Sequence, residues 1–395
     1  MPKNYCGFGM GAIQVGLFLW EAHRSRRFDR LSVVEVDQGL VQRVRANGGR
    51  LSFNIASKMG IKAVEIPDVE ILHPQNDFDL VKQRLSQSSE IGTAIPSVDF
   101  YGRGGVFSIA SLLGATQSPT QYRVVYCAEN NNHASEVLGA EVRKAAMANS
   151  PATTQYLNTV IGKMSGIITD EASIAKMGLH PLVPGLSKAI LVEAFNAILV
   201  DKIKFPRFTR GIEVFREEPD LHPFKEAKLF AHNCMHAWLA YFGIAKGYQT
   251  MDQLGKDAPL MEKALRAFTV ECGGGLIGKY GHIGGMFTKT GFEEYAKDLL
   301  DRMVNPYLSD TLDRVGRDPA RKLGPEDRLA GSALLALSAG IVPNLLLEGI
   351  RHGIEYYQIQ KDGTKLVNGE HADALTEIWG REPKTTDEKK LFALL

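Results

Sequence analysis

Residues 228–236 read KLFAHNCMH, so Lys228, Asn233 and His236 form a Lys-x4-Asn-x2-His array. An amine can exchange a proton with a hydroxyl. An amide can hydrogen-bond the oxygen, and an imidazole can orient the group that carries it. In an α-helix turning about 100° per residue, Asn233 and His236 lie about 140° and about 80° round from Lys228. One helix face can then offer amine, amide and imidazole to a single pocket. The competing reading is a surface lysine and histidine on an amphipathic helix, so the array gains or loses weight from the elements around it.

A second segment with chemical potential opens the chain. Gly7, Gly9 and Ala12 form a G-x-G-x-x-A pattern in GFGMGA. A short strand over 3–6 precedes it, a helix over 12–24 follows, and LSVVEVD (31–37) reads as a second strand ending in acid. That order is the one in which such a turn holds a dinucleotide. Gly7 would permit the tight turn, Gly9 would let the backbone approach a pyrophosphate, and Ala12 would keep helix and strand close. The helix N-terminus would face the phosphates with free N–H groups. Glu35 would accept from the ribose hydroxyls and repel a 2′-phosphate, which favours NAD over NADP; Asp37 competes for that role. The alternative is a glycine turn in some other α/β fold.

Further along, YRVVYCAEN (122–130) reads as a buried strand ending in a polar cluster, Asn130 to His133. Strand C-termini are where an open α/β sheet presents ligand groups. These asparagines also suit the cap of the helix that follows, ASEVLGAEVRKAAMA.

The chain has 395 residues, enough for two domains. With 44% hydrophobic and 23% charged residues it has a globular composition, and a formal net charge of +1 speaks against nucleic acid as the main partner. Cys6, Cys127, Cys234 and Cys272 have no close spacing, which points to free thiols in a reducing compartment with no disulfide or zinc framework. No cleavable leader is expected before the glycine turn, because its removal would take the motif with it. The uncharged stretch 329–347 contains Gly340 and Pro343 and reads as a broken buried helix pair, so no membrane partner is expected. The expected localisation is cytoplasmic. Oligomeric state is not readable from the chain, and a monomer is compatible with it.

From about residue 220 the periodicity turns helical, with candidate helices over 224–246, 258–279, 291–303, 325–340 and 343–357. Between them, 305–328 is a polar connector carrying Arg314, Arg317, Arg321, Lys322 and Arg328. It reads either as a solvated face or as a loop that folds over an anionic substrate. His232 and His236, four apart, raise a metal-hydrolase reading, but no Glu follows His232 and no third ligand stands out. A nucleotide sensor without turnover is a third reading; the intact array argues against it.

Taken together, GFGMGA, AEN at 128–130, KLFAHNCMHAWLAYFG at 228–243 and NPYLSDTLDRVGRDPARKLGPEDRL at 305–329 resemble the polyol-specific long-chain dehydrogenases. This is the mannitol dehydrogenase family, and the last segment looks most like its mannitol-1-phosphate 5-dehydrogenase branch. The resemblance implies an α/β Rossmann-type NAD-binding domain over 1–215, an all-α substrate and catalytic domain over 216–395, and an active site in a cleft between them. It implies NAD and no metal, with Lys228 as general acid/base, Asn233 and Asn130 on the reacting oxygen, and His236 orienting the substrate. Arg314 and Lys322 would hold the far end of a polyol or polyol phosphate. One segment departs from the family: in NTVIGKMSG (158–166) Gly162 takes the place of an Asp and Lys163 that of an Arg. His232 and Asn131 also depart from the mannitol-1-phosphate pattern. A lost acceptor and a retained cation point away from plain mannitol and towards an anionic polyol. Burial of Lys228 would lower its pKa towards neutrality.

Overall fold

The computed structural model describes residues 3–146, 153–364, 366 and 369–395. Contacts divide the chain into two units, Met1–Leu221 and His222–Leu395.

The first unit carries the strands β1 (Asn4–Phe8), β2 (Arg30–Val34), β3 (Leu51–Ser57), β4 (Gly60–Ile66), β5 (Val69–Leu72) and β6 (Glu90–Thr93). They are followed by β7 (Arg123–Cys127), β8 (Thr154–Val160), β9 (Ser165–Ile168), β10 (Ala189–Glu193), β11 (Ile198–Asp201) and β12 (Phe215–Glu218). The larger sheet has the order β12-β11-β8-β7-β6-β1-β2-β5. From β8 to β5 every neighbouring pair is parallel. β1 and β7 are buried along their whole length, as strands covered on both faces must be. Phe8 pairs with both Val34 and Thr93, and Thr93 pairs with Cys127. The glycine turn, Glu35 and the AEN segment therefore leave the sheet from one edge, the edge where parallel α/β sheets bind ligands.

β12 pairs in parallel with β11, so this strand, which begins at the boundary expected at 215/216, hydrogen-bonds into the first unit. A second sheet, β4-β3-β10-β9, was not foreseen. Its strands β3 and β10 pair Asn54 with Leu191, so no local pattern announces it. The helix after β7 runs Ala134–Ala145; residues 147 and 148 of the stretch read from sequence lie outside the described residues.

Among its described residues the second unit is helical apart from a lone bridge between Thr250 and Thr311. Its first helix runs without a break through His222–Ala227, Lys228–Asn233 and Cys234–Ala245. The middle segment is π-helical. Trp238 anchors the helix: it is fully buried and its Nε1 donates to the Leu345 carbonyl at 2.8 Å. Gly349 makes this possible, because a Cβ there would stand 2.1 Å from Trp238 Cδ1. The uncharged stretch forms two helices, Ala330–Ser338 and Asn344–Asp362, parted by Gly340 (φ +76°) and Pro343. Among the described residues no helix is long and apolar enough to cross a membrane. The helices His371–Trp379 and Thr386–Ala393 were not anticipated, although Thr385 and Glu388 form a capping box before the second.

Candidate active site

The glycine turn distributes its roles differently from the sequence expectation. Gly7 lies inside β1, and a Cβ there would stand 2.1 Å from the Gln14 amide nitrogen. Gly7 thus makes room for Gln14, whose Nε2 donates to Tyr5 Oη at 2.8 Å in the core. The turn itself falls to Gly9, at φ +86°, where a Cβ would also meet the Ala94 carbonyl at 2.9 Å. Ala12 is nearly buried at the start of the helix, whose first N–H groups have no partner within the helix. Lys188 was missed by the sequence reading. Its ammonium lies 3.4 Å from the Met10 carbonyl, which puts a cation on the turn from a loop 178 residues away.

The two acids after β2 separate by hydrogen bonding. Asp37 caps the next helix, accepting from Leu40 N–H at 3.1 Å. One oxygen of Glu35 accepts from Asp37 N–H at 2.9 Å, and its own N–H donates to the Leu72 carbonyl. Glu35 is half-buried at the sheet edge. Asn130 follows β7 and is exposed. The caps expected of Asn130–Asn132 are shared with another residue: Asn131 accepts from His133 N–H, while Ser135 N–H is capped by Asn158 from β8. Between them and the strand sits Glu129, buried, accepting from Ile95 N–H, Thr93 and Tyr101. Burial pushes its carboxyl above the usual range.

In the second unit the π-helical turn alters the array. Residues joined by a helical hydrogen bond lie close to one full turn apart, and a π turn joins i to i+5. In such a turn residues five apart, such as Lys228 and Asn233, are separated by a smaller angle than in an α-helix. Lys228 is half-buried, and among the described residues its ammonium makes no hydrogen bond or ion pair. Burial, with Arg328 adding to it, lowers its pKa to about 8. His232 is buried and held well below its ordinary pKa, by burial first and then by His236 and Lys228. Among the described residues no three His, Cys, Asp or Glu side chains could hold a metal ion.

The 305–328 connector contains short helices, Leu312–Gly316 and Pro319–Lys322, where a loop was expected. Arg314, 49% exposed, forms a two-pronged pair with Asp310, with Nε to Oδ1 at 2.7 Å and Nη2 to Oδ2 at 2.5 Å. Lys322 is turned inward and only 3% exposed; its ammonium donates to the carbonyls of Val315 and Arg317. Burial, then Arg328 and Arg321, lower its pKa to about 7. Arg321 and Arg328 both pair with Asp327. Lys163, read as a retained substrate cation, is also buried, with its ammonium on the Phe195 carbonyl at 2.8 Å and on Asn196 Oδ1 at 2.7 Å. A desolvated ammonium needs such partners, which is why it does not face solvent.

Residues 220–392 match the mannitol dehydrogenase C-terminal domain, a match that takes in the array and the connector. A mannitol-1-phosphate 5-dehydrogenase of Paenarthrobacter aurescens is 30% identical over 300 residues, covering 74% of this chain and 73% of that protein. The chain belongs to the mannitol dehydrogenase family. Another mannitol-1-phosphate 5-dehydrogenase, from Pseudarthrobacter chlorophenolicus, is 30% identical over 279 residues, 68% of this chain and 66% of the relative's length. The fold matches the Pseudomonas fluorescens mannitol 2-dehydrogenase, solved as a ternary complex with NAD and D-mannitol, with a TM-score of 0.68. The two share 12% identity over 96% of this chain and 84% of the other. The Rossmann-type first unit and helical second unit are the family's architecture.

Proposed function

We propose that this protein is an NAD-dependent oxidoreductase that interconverts a polyol, specifically a polyol phosphate such as mannitol 1-phosphate, with the corresponding ketose. The observation that carries the reading is Lys228. It is an amine with no ion-pair partner among the described residues and a pKa lowered to about 8, on a π-helical turn that ends at Asn233. A group that titrates near the working pH can both take and return a proton.

The residues of the first unit fit the dinucleotide. Gly9 at positive φ, the open helix N-terminus behind it and the Lys188 ammonium suit a pyrophosphate, and Glu35 suits ribose hydroxyls. When bound, NAD would supply the acceptor for the hydride of the carbon that bears the hydroxyl. The neutral Lys228 Nζ accepts the hydroxyl proton, and the Asn233 amide donates to the oxygen as charge develops on it. His236 orients the substrate. In reduction the Lys228 ammonium returns the proton to the oxygen. Arg314, half exposed and paired with Asp310, serves in this reading as the cation that holds the phosphate; Lys322 braces the connector from inside.

The test is oxidation of a panel of polyols, polyol phosphates and sugar acids with NAD, followed by absorbance of the reduced cofactor. Turnover on a polyol phosphate above the free polyol supports the reading; NAD binding without turnover on any of them rejects it in favour of a sensor. Glu35→Ala should weaken NAD and bring the ratio of catalytic efficiencies with NAD and NADP closer to one, because the charge that repels a 2′-phosphate is gone. A wild-type preference for NADP would contradict the role of Glu35.

A further inference from the structure

Asp310 has no part in the reaction as described, yet it joins two residues that do. It comes from the connector and is only 6% exposed. Its backbone is pinned, since Met251 N–H donates to the Asp310 carbonyl at 2.9 Å and Thr311 next to it bridges to Thr250. Its carboxylate takes the Arg314 guanidinium with both oxygens. The same Oδ2 lies 3.5 Å from His236 Nε2, a ring nitrogen that is buried with no hydrogen-bond partner. At that distance the contact is one of charge and orientation, not a formed hydrogen bond. Burial alone would push this carboxyl up, but His236 and Arg314 outweigh it and hold the group below the usual carboxylate range.

We propose that Asp310 is a positioning residue that sets Arg314 and His236 in one arrangement, so that recognition of the anionic end and orientation of the reacting end depend on a single carboxylate. The inference rests on the polyol phosphate reading above. The geometry explains what each partner gains. Arginine has five N–H donors in a rigid fork. Asp310 engages two of them, which fixes the guanidinium plane and leaves the rest for a phosphate. With Nε2–H turned towards the carboxylate, the other ring nitrogen of His236 becomes an acceptor for a substrate hydroxyl. A carboxylate buried without these neighbours would be costly, so the three residues specify one another.

The experiment measures kcat and KM for a polyol phosphate in wild type, Asp310→Asn, Asp310→Glu and the double variant His236→Ala/Arg314→Ala, with NAD affinity by fluorescence titration. Asp310→Asn is expected to lose about 10- to 100-fold in kcat/KM, mostly through KM, the scale of a substrate held slightly out of place. NAD affinity should stay within about twofold, and Asp310→Glu should recover part of the loss. In the double-variant background the same Asp310→Asn change should cost less than about threefold, because its two partners are gone. An undiminished loss in that background, or an equal loss of NAD affinity, overturns the proposal in favour of a general structural role. So does a folded Asp310→Asn with wild-type kinetics. Should Asp310→Asn not fold, Asp310→Glu with wild-type kinetics overturns it equally. A wild type inactive on every polyol and polyol phosphate strikes the functional reading instead. The Asp310 contact is then read from the His236 ring nitrogen resonances, which Asp310→Asn should move; unmoved resonances overturn it.

Discussion

Lys228→Ala should cut turnover about 100-fold or more, in both directions, while NAD binds as in the wild type. The magnitude is that of a general acid/base in an otherwise intact site. The separation of binding from turnover follows from position, because Lys228 belongs to the second unit while the glycine turn and Glu35 belong to the first. The pH profile adds a sign. Oxidation needs the neutral amine, so in the wild type its rate should rise with pH and level off above the pKa of about 8. Reduction needs the ammonium, so its rate should be full below that pH and fall above it. Both limbs should vanish from the residual activity of Lys228→Ala. Wild-type turnover in the variant, or an unchanged profile, would remove Lys228 from the mechanism.

The second large effect concerns the substrate. Arg314→Ala should lower kcat/KM for a phosphorylated polyol by about 10- to 100-fold, since a charge-assisted contact contributes about 1.5–3 kcal/mol. The free polyol should lose less, so the informative quantity is the ratio between the two substrates. Lys322→Met provides the contrast. Its ammonium sits on the carbonyls of Val315 and Arg317, so the variant should lose thermal stability and leave that ratio unchanged. Better use of free mannitol than of any phosphorylated polyol, with equal losses on both in Arg314→Ala, would reject the phosphate.

The two cations show where reading a sequence stops. Arg314 and Lys322 share a segment, a charge and a spacing of eight, and nothing in the string separates them. Folding exposes one and buries the other, because Lys322 ends a short helix whose inner side closes on the connector's own carbonyls. Lys163 follows the same logic. It looked like a cation facing a substrate and is instead a brace on the backbone after β10.

Local patterns carried the rest. The G-x-G-x-x-A turn, the acid after the second strand and the helical period around 228–243 are short-range features, set by backbone sterics and side-chain periodicity, and each could be read directly. From them came the Rossmann-type start, the helical second half and the array of Lys228, Asn233 and His236. Only the tertiary structure gave the second sheet, built on pairing between Asn54 and Leu191, and the approach of Lys188 to Met10. It also decided that Asp37 caps a helix while Glu35 accepts from the Asp37 N–H. The π turn at Lys228–Asn233 belongs to the same class. Which residues could do chemistry is a matter of type and spacing along the chain. Which of them are desolvated, paired or left open depends on what residues far away in sequence bring to their side, and burial and charge are properties of that neighbourhood.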